Sequence, residues 1–304
     1  MLAQFADGRR IQAASLVAFG VVFPLAFVFS AAAVVLTALR RSVLDGMLVA
    51  GLGIAFVGVL LGLAGGGLGS LAGFAAALLL CIAMADVLRR FSSLALTLQA
   101  GLALSLVMLA VILLGLEDPA AYWRGMVVQA LDQMAAQGSP ISDAQRELWM
   151  TAVPFNAMSG IVVGMILLMC WGGLFLGRSW QARLVNPGGF RKEFHQLKLG
   201  KALAFGSAAV FFADTMVSMD ALLNVAAVLI HVWIVQGLSY FHWMVGVSGA
   251  GMGWLVLVYG LLIFFWLTGN PLAVTVPVIG IVGEMIDFRR VAGRFLARNK
   301  DDKK

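Results

Sequence analysis

The feature that most constrains this chain is a succession of apolar runs, each about as long as a bilayer is thick, separated by short pieces in which the basic residues gather. A helix crosses roughly 30 Å of hydrocarbon with about 20 apolar residues. After a first run from Ile11 to Leu39, such stretches follow at approximately 43–63, 69–88, 93–116, 150–177, 202–218, 221–239, 250–268 and 271–287. Composition agrees: 12% of the 304 residues are charged, against about 25% in soluble domains. The mean hydropathy is +0.97. The expected fold is all-α, a polytopic transmembrane helix bundle of about 8 to 10 membrane helices with short surface helices.

The basic residues orient the expected bundle. Arg40-Arg41, Arg89-Arg90, the stretch from Arg178 to Lys201 and the tail from Arg289 onward fall on one side when the runs are threaded in alternation. That is the cytoplasmic side under the positive-inside rule. Arg124 and Arg146 are the exceptions, in an outside loop. The chain then divides into an N-terminal helix group (11–116), an outside helical hairpin (117–149), a C-terminal helix group (150–287) with a cytoplasmic loop at 178–201, and a basic cytoplasmic tail (288–304), all within one integral membrane domain spanning 1–304. The expected location is the bacterial cytoplasmic (inner) membrane. A net charge of +6 spread as short clusters beside apolar runs does not suggest nucleic acid. Cys81 and Cys170 lie in apolar segments without a CxxC partner, which supports neither a disulfide framework nor a zinc site.

The run 11–39 contains Pro24 and is either one kinked helix or two short helices in a re-entrant hairpin. Positive charge at both ends favours the hairpin and length favours the single span; the side of the N-terminus stays open with it. The apolar run is too long for a signal-peptide core, so the N-terminus is expected to stay attached. Small residues four apart, at Gly58/Gly62, Gly65/Gly69, Gly69/Gly73 and Gly160/Gly164, favour close helix packing. The glycine-rich segment Gly62 to Ser70 lacks the Lys-Ser or Lys-Thr of a phosphate loop and reads as a turn. In the acidic outside loop, Trp123, Met126, Val127, Leu131 and Met134 recur at helical spacing, and Ser142 to Gln145 forms a capping box that starts a second helix. This hairpin is expected either to lie on the membrane as a connector or to cover a cavity.

The central basic stretch carries Arg178, Arg183, Arg191, Lys192, Lys198 and Lys201 against Glu193. Asn186-Pro-Gly-Gly189 forces a turn, after which Phe190, Phe194 and Leu197 share one face, as on a helix lying on the cytoplasmic leaflet. The tail repeats this with Phe288, Val291 and Phe295, surrounded by Arg289, Arg290, Arg294 and Arg298.

Here the sequence resembles the bacterial YybS-like membrane proteins, the domain of unknown function 2232 family. The resemblance rests on NPGGFRKEFHQLKLGK (Asn186 to Lys201), Asn224, Gln236-Gly237-Leu238 and Asp287-Phe288-Arg289-Arg290, with Phe23-Pro24-Leu25 and Leu39-Arg40-Arg41 near the N-terminus. It covers nearly the whole chain and implies a class without a reaction. That family is more distantly similar to the substrate-binding components of energy-coupling-factor vitamin transporters. Those use an Ala-x-x-x-Ala face to meet a partner; Ala14 and Ala18 have that spacing.

Ionisable groups in hydrocarbon are costly and so become functional candidates. Asp86 is expected to pair with Arg89, and Glu284 and Asp287 to act as interfacial ion partners. Asp214, Asn224, His231 and Gln236 occur in adjacent spans and are the ligand-binding candidates; the alternative is that they hydrogen-bond to neighbouring helices and fix packing. Trp233, Tyr240, His242 and Trp243 read as an interfacial aromatic belt. Arg191, Lys192, Lys198, Arg289 and Arg290 are candidates for docking the membrane or a partner. No catalytic signature, metal-ligand spacing or cofactor motif is present, so an enzyme is not expected. The partners expected are the lipid bilayer, a membrane or cytoplasmic protein, and a small-molecule ligand. Two functions follow as expectations: a substrate-binding subunit of a transport system for a small polar metabolite or vitamin, or a non-catalytic membrane scaffold for envelope or cell-shape assembly.

Overall fold

The computed structural model describes residues 2–8, 10–22, 26–63, 69–139 and 141–301. Phe23-Pro24-Leu25, Gly65 and the centre of the glycine-rich turn lie outside the described residues, as do the side chains of Phe295 and Arg298. Every regular element among the described residues is helical. In chain order they are α1 (Leu2–Gly8), α2 (Arg10–Val22), α3 (Phe27–Arg40), α4 (Val43–Leu63), α5 (Gly69–Phe91), α6 (Leu94–Gly115), α7 (Pro119–Ala136), α8 (Asp143–Ala152), α9 (Met158–Val185), α10 (Gly189–His195), α11 (Lys201–Met216), α12 (Asp220–Ser248), α13 (Gly253–Leu267), α14 (Thr275–Met285) and α15 (Phe288–Asp301). Short 3-10 turns precede α9 and α14.

Among the described residues, five segments are long and apolar enough to cross a membrane unaided: Val43–Leu63, Leu71–Phe91, Leu94–Gly115, Phe155–Val185 and Asp220–Ser248. A sixth is added if Pro271–Met285 and Phe288–Arg294, bent by 78°, count as one. This set marks a multi-pass membrane protein. It is smaller than the eight to ten expected, because α3, α11 and α13 are only 14, 16 and 15 residues long. The run 11–39 is two helices folded back on each other. Asp7, ahead of α2, meets Arg40 at the far end of α3 at 2.9 Å, and Ser30 near the start of α3 donates to the carbonyl oxygens of Leu16 and Val17.

Helix α9 is the mast of the bundle, and its glycines decide what packs on it. Gly160 and Gly164 receive α12: a methyl group at Gly160 would strike the backbone of Asn224, and one at Gly164 the ring of His231. Further along, Gly173 and Gly177 receive α3, where Ala31 and Val35 fill the notch. Ten of the 14 residues of α3 are buried as a result. Helix α14 reaches α12 in the same way, with Gly280 against the carbonyl of Trp233 and Gly237 against that of Val276. Lipid tails are as apolar as leucine, so close backbone approach and the dispersion contacts it brings hold such helices together. Cys81 and Cys170 face each other's helices in this core and are both free thiols.

The acidic end of the bundle follows expectation, and the basic end differs from it in part. At the acidic end, the Ser142/Gln145 capping box forms as expected. Arg146 ties α8 to Asp132 of α7 at 2.6 Å, and the Trp123 indole donates to Ser159 at 2.8 Å. At the basic end, α9 continues to Val185, so Arg178 and Arg183 belong to its last turns rather than to a loop. The apolar face of α10 does not lie on lipid. Phe190 and Phe194 pack their rings against Phe175 of α9, tilted and edge-on respectively, and Phe194 and Leu197 are buried, because the turn at Asn186 to Gly188 folds α10 back onto α9 and α12. Trp233 and Tyr240 are core residues and not part of an interfacial belt. Asp86 pairs with Arg90 at 2.8 Å, one helical turn on, in place of Arg89.

Candidate functional site

Asn224, His231 and Gln236 are buried on α12, whereas Asp214 is half-buried on α11. The Asn224 amide donates to the carbonyls of Asn156 (2.6 Å) and Asp220 (2.7 Å), and its oxygen accepts from the Gly160 N–H at 2.6 Å. It joins α12 to the start of α9, where the first turn has backbone N–H groups without helical partners. His231 Nδ1 lies 2.8 Å from the Ala227 carbonyl, which sets that nitrogen as the proton-bearing one. Its Nε2 is buried without a hydrogen-bond partner, and the ring meets Trp266 edge-on at 5.3 Å. Asp214 makes no hydrogen bond or ion pair with these three. The four candidates therefore stand at separate places along the helix pair.

Gln236 belongs to a second group that the sequence left unassigned. After α10 the chain runs through Gln196–Gly200 without helix, yet Leu197 and Leu199 are buried. Such backbone is tolerated at membrane depth only where protein groups satisfy it. Four side chains do so, and a fifth, Ser239, holds the end of α10 just before the segment. Ser239 donates to the Phe194 carbonyl (2.7 Å), Gln236 and Arg289 both donate to that of Leu197 (3.0 and 2.7 Å), and Gln99 donates to that of Leu199 (2.8 Å). Glu284 accepts from the Gly200 N–H and from the Tyr240 hydroxyl, both at 2.9 Å. Gly200 takes φ +94° to make this turn, a conformation that glycine adopts without strain. Helices α6, α12, α14 and α15 thus grip one five-residue segment. Gln99, a lone amide in an apolar span, is the signal that sequence reasoning passed over.

Arg289 is drawn inward by this clasp. Asp287, at φ +53°, breaks the chain between α14 and α15, and the Arg289 guanidinium then lies 4.4 Å from the Tyr240 ring centroid and donates to the Ser239 hydroxyl at 2.6 Å. Glu284 is likewise buried in the clasp and not an interfacial ion partner. Asp287 pairs with Lys198 at 2.9 Å, and that hydrogen bond, ahead of the charges of Lys198, Lys201 and Arg290, holds its carboxyl below the usual range. Arg191, Lys192 and Arg290 remain exposed. His195, between them and the core, has its pKa lowered by burial first and then by Arg191 and Arg289.

Two cavities complete the basic end. One of about 190 Å³ is lined by Leu88, Arg89, Ser92, Arg178, Gln181 and Glu193, with Arg178 and Glu193 joined by two contacts. The other, about 730 Å³, opens between α12, α13 and α15 and is lined by apolar side chains including Trp243, Trp254, Leu257, Leu261 and Val291. Neither includes Asp214, Asn224, His231 or Gln236. Among the described residues no group of three His, Cys, Asp or Glu is placed to hold a metal ion. Comparison with family models, with curated proteins and with solved structures finds no match to this chain.

Proposed function

We propose that this chain is a non-catalytic scaffold of the bacterial inner membrane, with its basic end in the cytoplasm and the α7–α8 hairpin outside. In this reading α3, α11, α13 and α14 supplement the longer spans, and the protein belongs with the YybS-like class on the order of its basic motifs. The observation that carries the proposal is the clasp. Polar side chains from four helices are committed to fixing the segment Gln196–Gly200, which gives the exposed cations Arg191, Lys192 and Arg290 a rigid base. A fixed cluster of cations meets an acidic partner surface with little ordering cost.

A second reading, a substrate-binding subunit for a small polar metabolite or vitamin, is favoured by the half-buried Asp214 carboxylate and the buried Nε2 of His231, neither with a partner among the described residues. One pair of assays separates the two. A photo-crosslinking residue at Lys192 in growing cells is expected to capture a defined protein partner, lost in Arg191→Glu. Thermal stabilisation of the purified protein by a polar metabolite, abolished by Asp214→Asn, would overturn the scaffold reading in favour of the second.

A further inference from the structure

The 730 Å³ apolar cavity lies within the range of about 300–1,000 Å³ typical of small-molecule sites, and no charged side chain among the described residues lines it. Helix α12 has 29 residues, about 43 Å at 1.5 Å per residue, against roughly 30 Å of hydrocarbon, so its last turns reach the head-group layer. Those turns supply Met244, Val245 and Ser248 to the cavity. The cavity therefore begins at head-group depth on the basic side and extends into the apolar layer along Leu257 and Leu261 of α13.

Helix α15 closes one end. It leaves α14 at 78° and presents Phe288, Val291 and Ala292 to the cavity. Arg290 and Arg294 are exposed on its other faces and form no ion pair among the described residues. A partner transmembrane helix continuing past this end would run into α15, whereas an acyl chain can end there, and the helix that closes it carries the exposed Arg290 and Arg294. Basic residues at the surface favour anionic lipids by about 1 kcal/mol each.

We propose that this cavity holds one acyl chain of an anionic phospholipid from the surrounding bilayer, with its phosphate on Arg290 and Arg294. The site does not depend on any protein partner.

The test uses the full chain in phosphatidylcholine nanodiscs containing trace phosphatidylglycerol with a photoreactive group on one acyl chain. Labelling is expected on the peptides containing Leu257–Leu261 and Phe288–Ala292, reduced at least fivefold by unlabelled phosphatidylglycerol and less than twofold by added phosphatidylcholine. Ala292→Trp, which fills the cavity, should cut that labelling at least fivefold without changing labelling of the lipid-facing side of α4; Leu261→Phe is a milder filling variant should the first misfold. Arg290→Gln with Arg294→Gln should remove the preference for phosphatidylglycerol and leave labelling in place. Labelling no stronger than on α4, equal competition by both lipids, or a dimer of the chain that Ala292→Trp dissociates would each overturn the proposal.

Discussion

Helices α12 and α13 are neighbours in sequence and both strongly apolar, yet 15 of the 29 residues of α12 are buried and, in α13, Leu255 alone. Hydrophobicity does not separate them. What α12 has is small residues facing it, Gly160 and Gly164 on α9 and Gly280 on α14, together with polar side chains that find backbone partners across those crossings. Gly260 of α13 faces open space. In hydrocarbon, close backbone approach and hydrogen bonds decide which helix becomes core. The helix lacking both is left at the edge, with the apolar cavity between it and the rest.

A matched pair of glycine substitutions separates the two helices most strongly. Gly160→Val must displace the backbone of Asn224 and is expected to cost about 3 kcal/mol or more, since overpacking typically costs about 1–3 and here the obstacle is main chain. Gly260→Val, with nothing near it, should stay within about 0.5 kcal/mol, as surface changes do. Equilibrium unfolding in detergent measures both; equal effects would remove packing as the distinction.

Hydrogen bonds give the next contrast. Glu284→Ala strands the Gly200 N–H and the Tyr240 hydroxyl, at about 1–3 kcal/mol for each buried group left unpaired. Tyr259→Phe on α13 removes an exposed contact to His242 and is expected to cost under about 1 kcal/mol by the same unfolding measurement. Within the α11–α12 pair, Asn224→Leu should cost about 2 kcal/mol while Asp214→Asn, with no partner to lose, should leave the melting midpoint in place.

The smallest effect is one of pH. Because the folded protein holds the His195 pKa below its usual value of about 6.5, the folded state favours the neutral ring. Its contribution is complete above about pH 6.5 and is lost as pH falls toward the folded pKa. The groups around it are Arg191, Arg289 and His242, whose ring centroid is 6.3 Å away. His195→Gln should flatten the fall of the melting midpoint below about pH 6.5; an unchanged slope would assign it to another group.

Span positions were readable where an apolar run meets a capping residue or a charged pair. The stretch 93–116 became α6 (Leu94–Gly115) because Ser93 caps it, its hydroxyl accepting from the Leu96 N–H at 3.3 Å. The end of α12 was not readable. Tyr240, His242 and Trp243 resemble a membrane boundary, but the helix continues until Gly249 takes φ +70°. The clasp was illegible for another reason. Gly200 and Glu284 are 84 positions apart, and Gln99 and Leu199 are 100 apart. The local pattern marks these residues as polar in an apolar setting without saying which backbone group each will meet. Arg289 looked like a surface cation because helical periodicity places it beside Arg290, and only the left-handed turn at Asp287 directs it inward.

Side chains hold the non-helical segment Gln196–Gly200 as firmly as the helices around it. Hydrogen exchange at the Gly200 amide, in the full chain in nanodiscs, tests it most directly. Exchange there is expected to be as slow as in the middle of α12, and at least a hundredfold faster in Glu284→Ala. Exchange in the unaltered protein as fast as at Gly251, in the open turn between α12 and α13, would contradict it.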